Sequence, residues 1–335
     1  MGANLFISNF NNIMNRYTSR VIKILAFIFL IASIDQVVGL ILRKLYFHQR
    51  TGENYAMTYV YKNCTADILI FGSSRAQHHY DTRILSDRLK MSCYNAGIDG
   101  GHSILLPYAQ IKVITKRYSP KIIILEFDPD NIVRYAGDYD RLSVLLPYYK
   151  EYPELRPLIL LRGPYEREKL LSAIYPFNSN IINIIRYNTN THAARRKDFE
   201  GYIQLESSMN IGMLKKEPGI ETQSVLDTNM INALKNIISL CKEKNITLLI
   251  INSPIYHTVS GGKTFTTLAA KLSLEIIHHE KVNYHDFSFD STFAGHMEWF
   301  KDFGHLNDNG AKIFTNLVID SVMLQLERNS ANKLK

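Results

Sequence analysis

Two segments more than two hundred residues apart carry side chains that could do chemistry together. The first is Gly72-Ser73-Ser74, which follows the apolar run Ile68-Leu69-Ile70-Phe71 and places hydroxyls where a buried strand meets a tight turn. The second is Asp302-Phe303-Gly304-His305, immediately ahead of an amphipathic helical pattern. An imidazole becomes a useful base when one ring nitrogen donates to a carboxylate, which sets its tautomer and stabilises the imidazolium. A hydroxyl within reach of the other nitrogen then becomes a nucleophile. Each segment alone is weak, because a Gly-Ser turn is usually only a turn and Asp-x-x-His arises by composition in roughly one such chain in three. Position in the fold has to decide.

The pattern between these segments is that of an α/β protein. Strands are expected at about 66–72, 93–95, 121–127, 246–252 and 282–287, with helices at about 81–88, 103–117, 225–244, 262–273 and 309–327. The alternation predicts a doubly wound parallel sheet, whose ligands bind at the carboxyl edge of the strands. Gly72-Ser73-Ser74 leaves the first strand at that edge. The Asp-His segment precedes the last helix, where a base could meet it.

Between about 132 and 224 the rhythm breaks. This stretch is proline-rich, holds nine of the 20 tyrosines and reads as a helical insertion capping the sheet edge. Tyrosines there either stack on sugar rings or pack a small subdomain, and packing is the commoner role.

At 335 residues with 46% hydrophobic and 21% charged side chains, the chain has ample core and is ordered. The net charge of +8 is concentrated at one end: residues 1–50 hold six basic side chains and one acid, leaving +3 for the other 285. No basic face remains for nucleic acid. Three cysteines without C-x-x-C spacing argue against zinc or a disulfide framework, and no metal or cofactor is expected.

Residues 21–43 form an apolar segment about long enough to cross a hydrocarbon core of ~30 Å. Basic residues flank both ends, so charge does not orient it. A cleaved signal peptide is the rival reading, disfavoured because no small-x-small site follows and apolar character resumes at Val37. The expected organisation is a cytoplasmic tail at 1–20, an anchor at 21–43, a connector at 44–63, an α/β domain at 64–328 and a tail at 329–335. Asp35 within the span would contact a partner membrane protein or lie near the interface with its carboxylate in water.

Taken together, Gly72-Ser73-Ser74, Asn95-Ala96-Gly97-Ile98-Asp99-Gly100 and Asp302-Phe303-Gly304-His305-Leu306-Asn307-Asp308-Asn309-Gly310 resemble the SGNH/GDSL hydrolase superfamily in type and order. The resemblance spans about 64–328 in strand order, although the motifs cover only some twenty residues. It implies a flavodoxin-like three-layer doubly wound sheet. Carried over, Ser74 is the nucleophile, His305 the base and Asp302 its orienting carboxylate, with Gly100 and the Ser74 amide in the oxyanion hole. The family's Gly-x-Asn-Asp block departs here to Asp128-Pro129-Asp130-Asn131. Straight alignment puts Asp130 where an asparagine donor belongs; Asn131 replaces it through a one-residue shift, or the donor is missing.

The implied activity is acyl hydrolysis or O-acyl transfer through an acyl-Ser74 intermediate. The anchor makes the chain similar to envelope-polysaccharide acyltransferases and esterases that work on the extracytoplasmic side beside a polytopic acyl-donor protein, with an acylated glycan or small ester as substrate. The alternative is a catalytically impaired scaffold that binds glycan or a membrane acyltransferase. Further candidates are Arg75, which either meets an acidic substrate group or forms a structural ion pair, His78 beside the serine, and Trp299, either a pocket wall or a packing anchor.

Overall fold

The computed structural model describes residues 2–100, 103–135, 137–189, 198–210, 212, 225–258 and 267–333. The apolar runs form five strands: β1 (Ile68–Phe71), β2 (Cys93–Asn95), β3 (Ile122–Glu126), β4 (Thr247–Asn252) and β5 (Asn283–Asp286). They lie in the order β2-β1-β3-β4-β5 and every pairing is parallel, with Ile68 opposite both Cys93 and Ile122, and Ile122 opposite Thr247. This is a doubly wound order.

Alternate strand residues face opposite layers. Leu69, Phe71, Ile123, Leu125, Leu248 and Ile250 pack with helices α2 (Glu53–Lys62), α5 (Leu105–Ile114), α7 (Thr228–Glu243) and α8 (Leu268–His279). Ile68, Ile70, Ile122, Ile124, Leu249 and Ile251 pack on the other side with α4 (Thr82–Leu89) and α9 (Asp308–Lys333). Burial on both faces is why the strands read as unbroken apolar runs rather than alternating ones.

Element limits follow capping chemistry. Asp81, Asp227 and Thr267 each accept a backbone N–H from the first turn of α4, α7 and α8. Thr267 therefore starts α8 later than the expected 262–273, whose residues 262–266 lie outside those described. The last helix also extends beyond 327, to Lys333.

The amino-terminal helix α1 runs from Gly2 to His48 without a break, longer than the expected 21–43 span. It continues because Gly39, Leu42 and Tyr46 turn one face onto the domain, while the residues from Tyr17 to Ile31 are exposed all round. The expected connector at 44–63 is thus the end of α1, a turn at Gly52 (φ +87) and α2. Tyr46 and Tyr61 are buried there, with ring centroids 5.9 Å and 4.9 Å from Tyr148.

Tyr148 belongs to the insertion, whose described part holds short helical turns, α6 (Ile181–Thr189) and a small antiparallel hairpin of Asp198–Phe199 with Tyr202–Ile203. An antiparallel pair, Val133–Arg134 with Val225–Leu226, closes its base. Tyr148 and Tyr202 are fully buried and Tyr152 packs beside Tyr148, so these tyrosines serve packing. Residues 136, 190–197, 211 and 213–224 of the expected insertion lie outside those described.

Candidate active site

Strand β1 delivers its carboxyl end into Gly72, where φ is +152 and a Cβ would stand 2.7 Å from that of Glu126 and 2.9 Å from that of Ala76. Only glycine fits this turn. The next residues form α3 (Ser74–His79), with Ser73 as its N-cap. The serines therefore differ: Ser73 caps the helix, while Ser74 Oγ points outward to His305 Nε2 at 2.7 Å.

His305 sits in a loop held at both ends. Phe300 bridges Leu306, Lys301 N–H donates to His305 O at 2.8 Å, and Asn307 Oδ1 accepts the amides of Asn309 and Gly310 at 3.1 Å each. Gly310 passes so close to the Trp299 carbonyl that a Cβ would lie 2.2 Å from its oxygen. Each landmark of Asp-x-x-His-x-Asn-x-x-Gly thus has a physical task.

Asp302 accepts His305 Nδ1–H at 2.9 and 3.0 Å on its two oxygens, and also the amides of Gly304 and His305. Burial raises the Asp302 pKa. The His305 hydrogen bond and charge and the two amides outweigh it and hold the carboxyl below its ordinary 3.8. With Nδ1–H committed to a carboxylate, Nε2 presents a lone pair to the Ser74 hydroxyl. The arrangement can deprotonate Ser74 and stabilise the resulting imidazolium.

Beneath this surface lies a second polar cluster, most of which the sequence did not single out. The Arg75 guanidinium pairs with Glu126 Oε1 at 3.1 Å and Asp128 Oδ2 at 3.7 Å, and donates to Asn252 Oδ1, Ser253 Oγ and the Ser253 carbonyl. Glu126 also accepts from Tyr80 Oη and the Ser253 amide. Burial pushes Glu126 above its ordinary 4.5, with Arg75, Tyr80 and Ser253 opposing the rise. Arg75 is therefore the structural ion pair of the two readings, its donors turned inward rather than toward a substrate. A carboxylate closing the apolar run of β3 was the available signal for this cluster, since an acid there needs a partner.

His79 joins the cluster to the surface. It is fully buried, its Nε2 accepts the Leu306 amide at 3.0 Å and its Nδ1 donates to Ser253 Oγ at 2.7 Å. Burial, and then the charges of Arg75, His305 and His78, drive its pKa well below the ordinary 6.5. A neutral His79 thus holds the backbone one residue beyond His305.

His78 is buried, with Nδ1 2.7 Å from the Ile203 carbonyl and its ring edge-on to His305 at 6.0 Å. Trp299, half-buried, stacks on His296 with centroids 3.9 Å apart and meets Phe293 edge-on.

The loop after β2 is stitched to β1 by Ala96 N–H to Ile70 O at 2.8 Å and Ile98 N–H to Gly72 O at 3.1 Å. Asn95 clamps it: its Nδ2 donates to the Ala76 and Tyr80 carbonyls and its Oδ1 accepts the Gly97 amide. Gly100 follows at φ +75. Gly101 and His102 lie outside the described residues. Among those described, the amides of Ser74 and Gly100 donate to no other residue. After β3, the Asp130 carboxylate accepts the Thr267 hydroxyl at the start of α8. Neighbouring Asn131 has its backbone amide on the Asp128 carbonyl at 2.8 Å, and its side chain bonds to no described residue.

No protein-family model and no curated protein sequence matches the chain. Among solved structures, a Bacteroides fragilis protein described as a "putative acylhydrolase" aligns with 77% of this chain and 87% of its own, at 10% identity and a TM-score of 0.35. A likeness at that level carries no functional argument, and the reading rests on the site.

Proposed function

We propose that the chain is a membrane-anchored serine acyl hydrolase or O-acyltransferase of SGNH type, with Ser74 as nucleophile, His305 as base and Asp302 as its orienting carboxylate. One observation carries this: Ser74 Oγ lies 2.7 Å from His305 Nε2 while Nδ1 of the same ring is bound by Asp302. These groups come from the two ends of the domain, and the doubly wound sheet brings them together at its carboxyl edge.

In the proposed reaction Ser74 Oγ attacks an ester carbonyl and His305 Nε2 takes its proton. Collapse of the tetrahedral intermediate breaks the ester C–O bond, and the leaving alcohol takes the proton from His305. Water or a sugar hydroxyl then gives its proton to His305 and attacks the acyl-serine, and Ser74 recovers the proton as it leaves. The uncommitted amides of Ser74 and Gly100 are the proposed oxyanion donors. Asn131 is the third: Asp130 is already occupied by Thr267, and the adjacent amide side chain is uncommitted. These observations support the one-residue shift among the sequence alternatives.

Helix α1 is proposed as the anchor. The helix from Arg16 to His48 is long and apolar enough to span a bilayer, a test that a signal sequence also passes. An extracytoplasmic glycan ester is the proposed substrate class. The test is a fluorophosphonate probe on the full-length chain. Wild type should be labelled on Ser74, and Ser74→Ala and His305→Ala should not; equal labelling of all three overturns the assignment.

A further inference from the structure

Helix α1 shows how deep the domain sits. Its apolar side chains are exposed from Val21 to Ile41 on the face turned away from the domain. That is a rise of about 30 Å, the thickness of a hydrocarbon core. The domain already touches the opposite face well inside this length. Asp35, six residues before Ile41, accepts the Ser172 hydroxyl at 2.5 Å and the Ala173 amide at 2.7 Å. Gly39 packs so tightly on Ala173 that a Cβ would lie 2.4 Å from the alanine Cβ. Insertion residues therefore reach about 9 Å below the end of the apolar face of α1.

The side chains around that contact suit such a depth. Leu171, next to Ser172, is 78% exposed, and α6 presents Ile182 (80%) and Ile185 (54%) outward while burying Ile184. At its other end α6 is tied upward, with Asn188 Nδ2 on the Leu45 carbonyl and the Tyr187 ring against Gly52, so Ile182 lies toward the membrane. Exposed Lys169 and Arg186 bracket these residues, as basic side chains do at a lipid interface.

We propose that Leu171 and the outer face of α6 form a wedge lying in the outer part of the bilayer beside α1, with lipid as its occupant. The wedge rests on reading α1 as a membrane span. It gives Asp35 its role: the carboxylate inside the span is covered by the domain's own hydroxyl and amide, and clamps the wedge to the anchor. It also holds the domain close against the membrane instead of at the end of a free tether.

The test uses the full-length chain in vesicles. The native cysteines Cys64, Cys93 and Cys241 are buried, so cysteines introduced by Leu171→Cys, Ile182→Cys, Ile28→Cys and Leu268→Cys can be labelled selectively with an environment-sensitive fluorophore. Ile28 reports the anchor, and Leu268, exposed on α8, reports the aqueous surface. The proposal expects headgroup-region doxyl lipids to quench probes at 171 and 182, chain-end doxyl lipids to quench the probe at 28, and neither to quench at 268. Quenching at 28 with none at 171 and 182 keeps the anchor and overturns the wedge. Blue-shifted emission at 171 and 182 that ignores doxyl lipid means that protein covers the patch, and also overturns it. No quenching at 28 removes the anchor reading and the wedge with it.

Discussion

Ser74 and Arg75 are neighbours in sequence and opposites in structure. Ser74 opens α3 facing a half-exposed pair, His305 and Asp302, that can gain and lose a proton. Arg75 turns under the same helix into a sealed cluster in which it is 14% exposed and Glu126 2%. The comparison separates two uses of polar side chains. On the outer face Ser74 meets the His305–Asp302 pair through one hydrogen bond, which substrate chemistry can break and remake. Groups on the inner face are cross-linked several times over, because an unpaired charge there is costly. Outer-face substitutions should therefore reduce activity and spare stability, and inner-face substitutions should do the reverse.

The largest effect is expected from Ser74→Ala, which should abolish probe labelling and ester turnover while leaving the free energy of unfolding within about 0.5 kcal/mol of wild type, as for a change with no structural partner beyond His305. A loss of several kcal/mol would place Ser74 in the structural class instead. Next, Arg75→Met leaves Glu126 buried without its cation and should cost about 3–5 kcal/mol of stability in denaturant unfolding. A stable Arg75→Met protein with altered KM would mean that Arg75 meets substrate after all.

On the outer face, Asn131→Ala should lower kcat by about 10²–10³-fold, close to 2.7–4 kcal/mol of transition-state stabilisation, with little change in KM. An unchanged kcat would leave the oxyanion to the Ser74 and Gly100 amides.

The smallest effect belongs to the residue that joins the two faces. His79 is held neutral with a depressed pKa, so its contribution to stability is present above the ordinary 6.5 and is lost as pH falls below it toward the folded value. The wild-type melting temperature should therefore drop between pH 7 and 5 more steeply than that of His79→Gln, whose amide can keep both hydrogen bonds but does not titrate. Parallel slopes would show that His79 does not drive the acid sensitivity.

Much of this was legible in order along the chain. The strands read as apolar runs because both faces of the sheet are covered. Ser74, His305 and Asp302 were singled out, and the fold brings them within hydrogen-bonding distance. Other readings needed depth. Arg75, His79, Glu126 and Ser253 are spread from β1 to β4, and no spacing along the chain relates them. Asp130 accepts the hydroxyl of Thr267 from the start of α8, a partner more than 130 residues away that no local spacing announces. Asp35 looked solitary in its helix, yet its partners are Ser172 and Ala173 of the insertion.

By itself the sequence determined the elements and their periodicity, together with the serine-histidine-aspartate types at strand and helix ends. Those signals are local, arising from backbone geometry, capping and burial within a few residues. Only the tertiary structure decided which serine faces the imidazole, which cation is sealed away, and how far along α1 the domain is clasped. Each of these depends on pairs far apart in sequence, from about fifty residues for Arg75 and Glu126 to more than two hundred for Ser74 and His305, and burial makes such pairs compulsory without marking them in the chain.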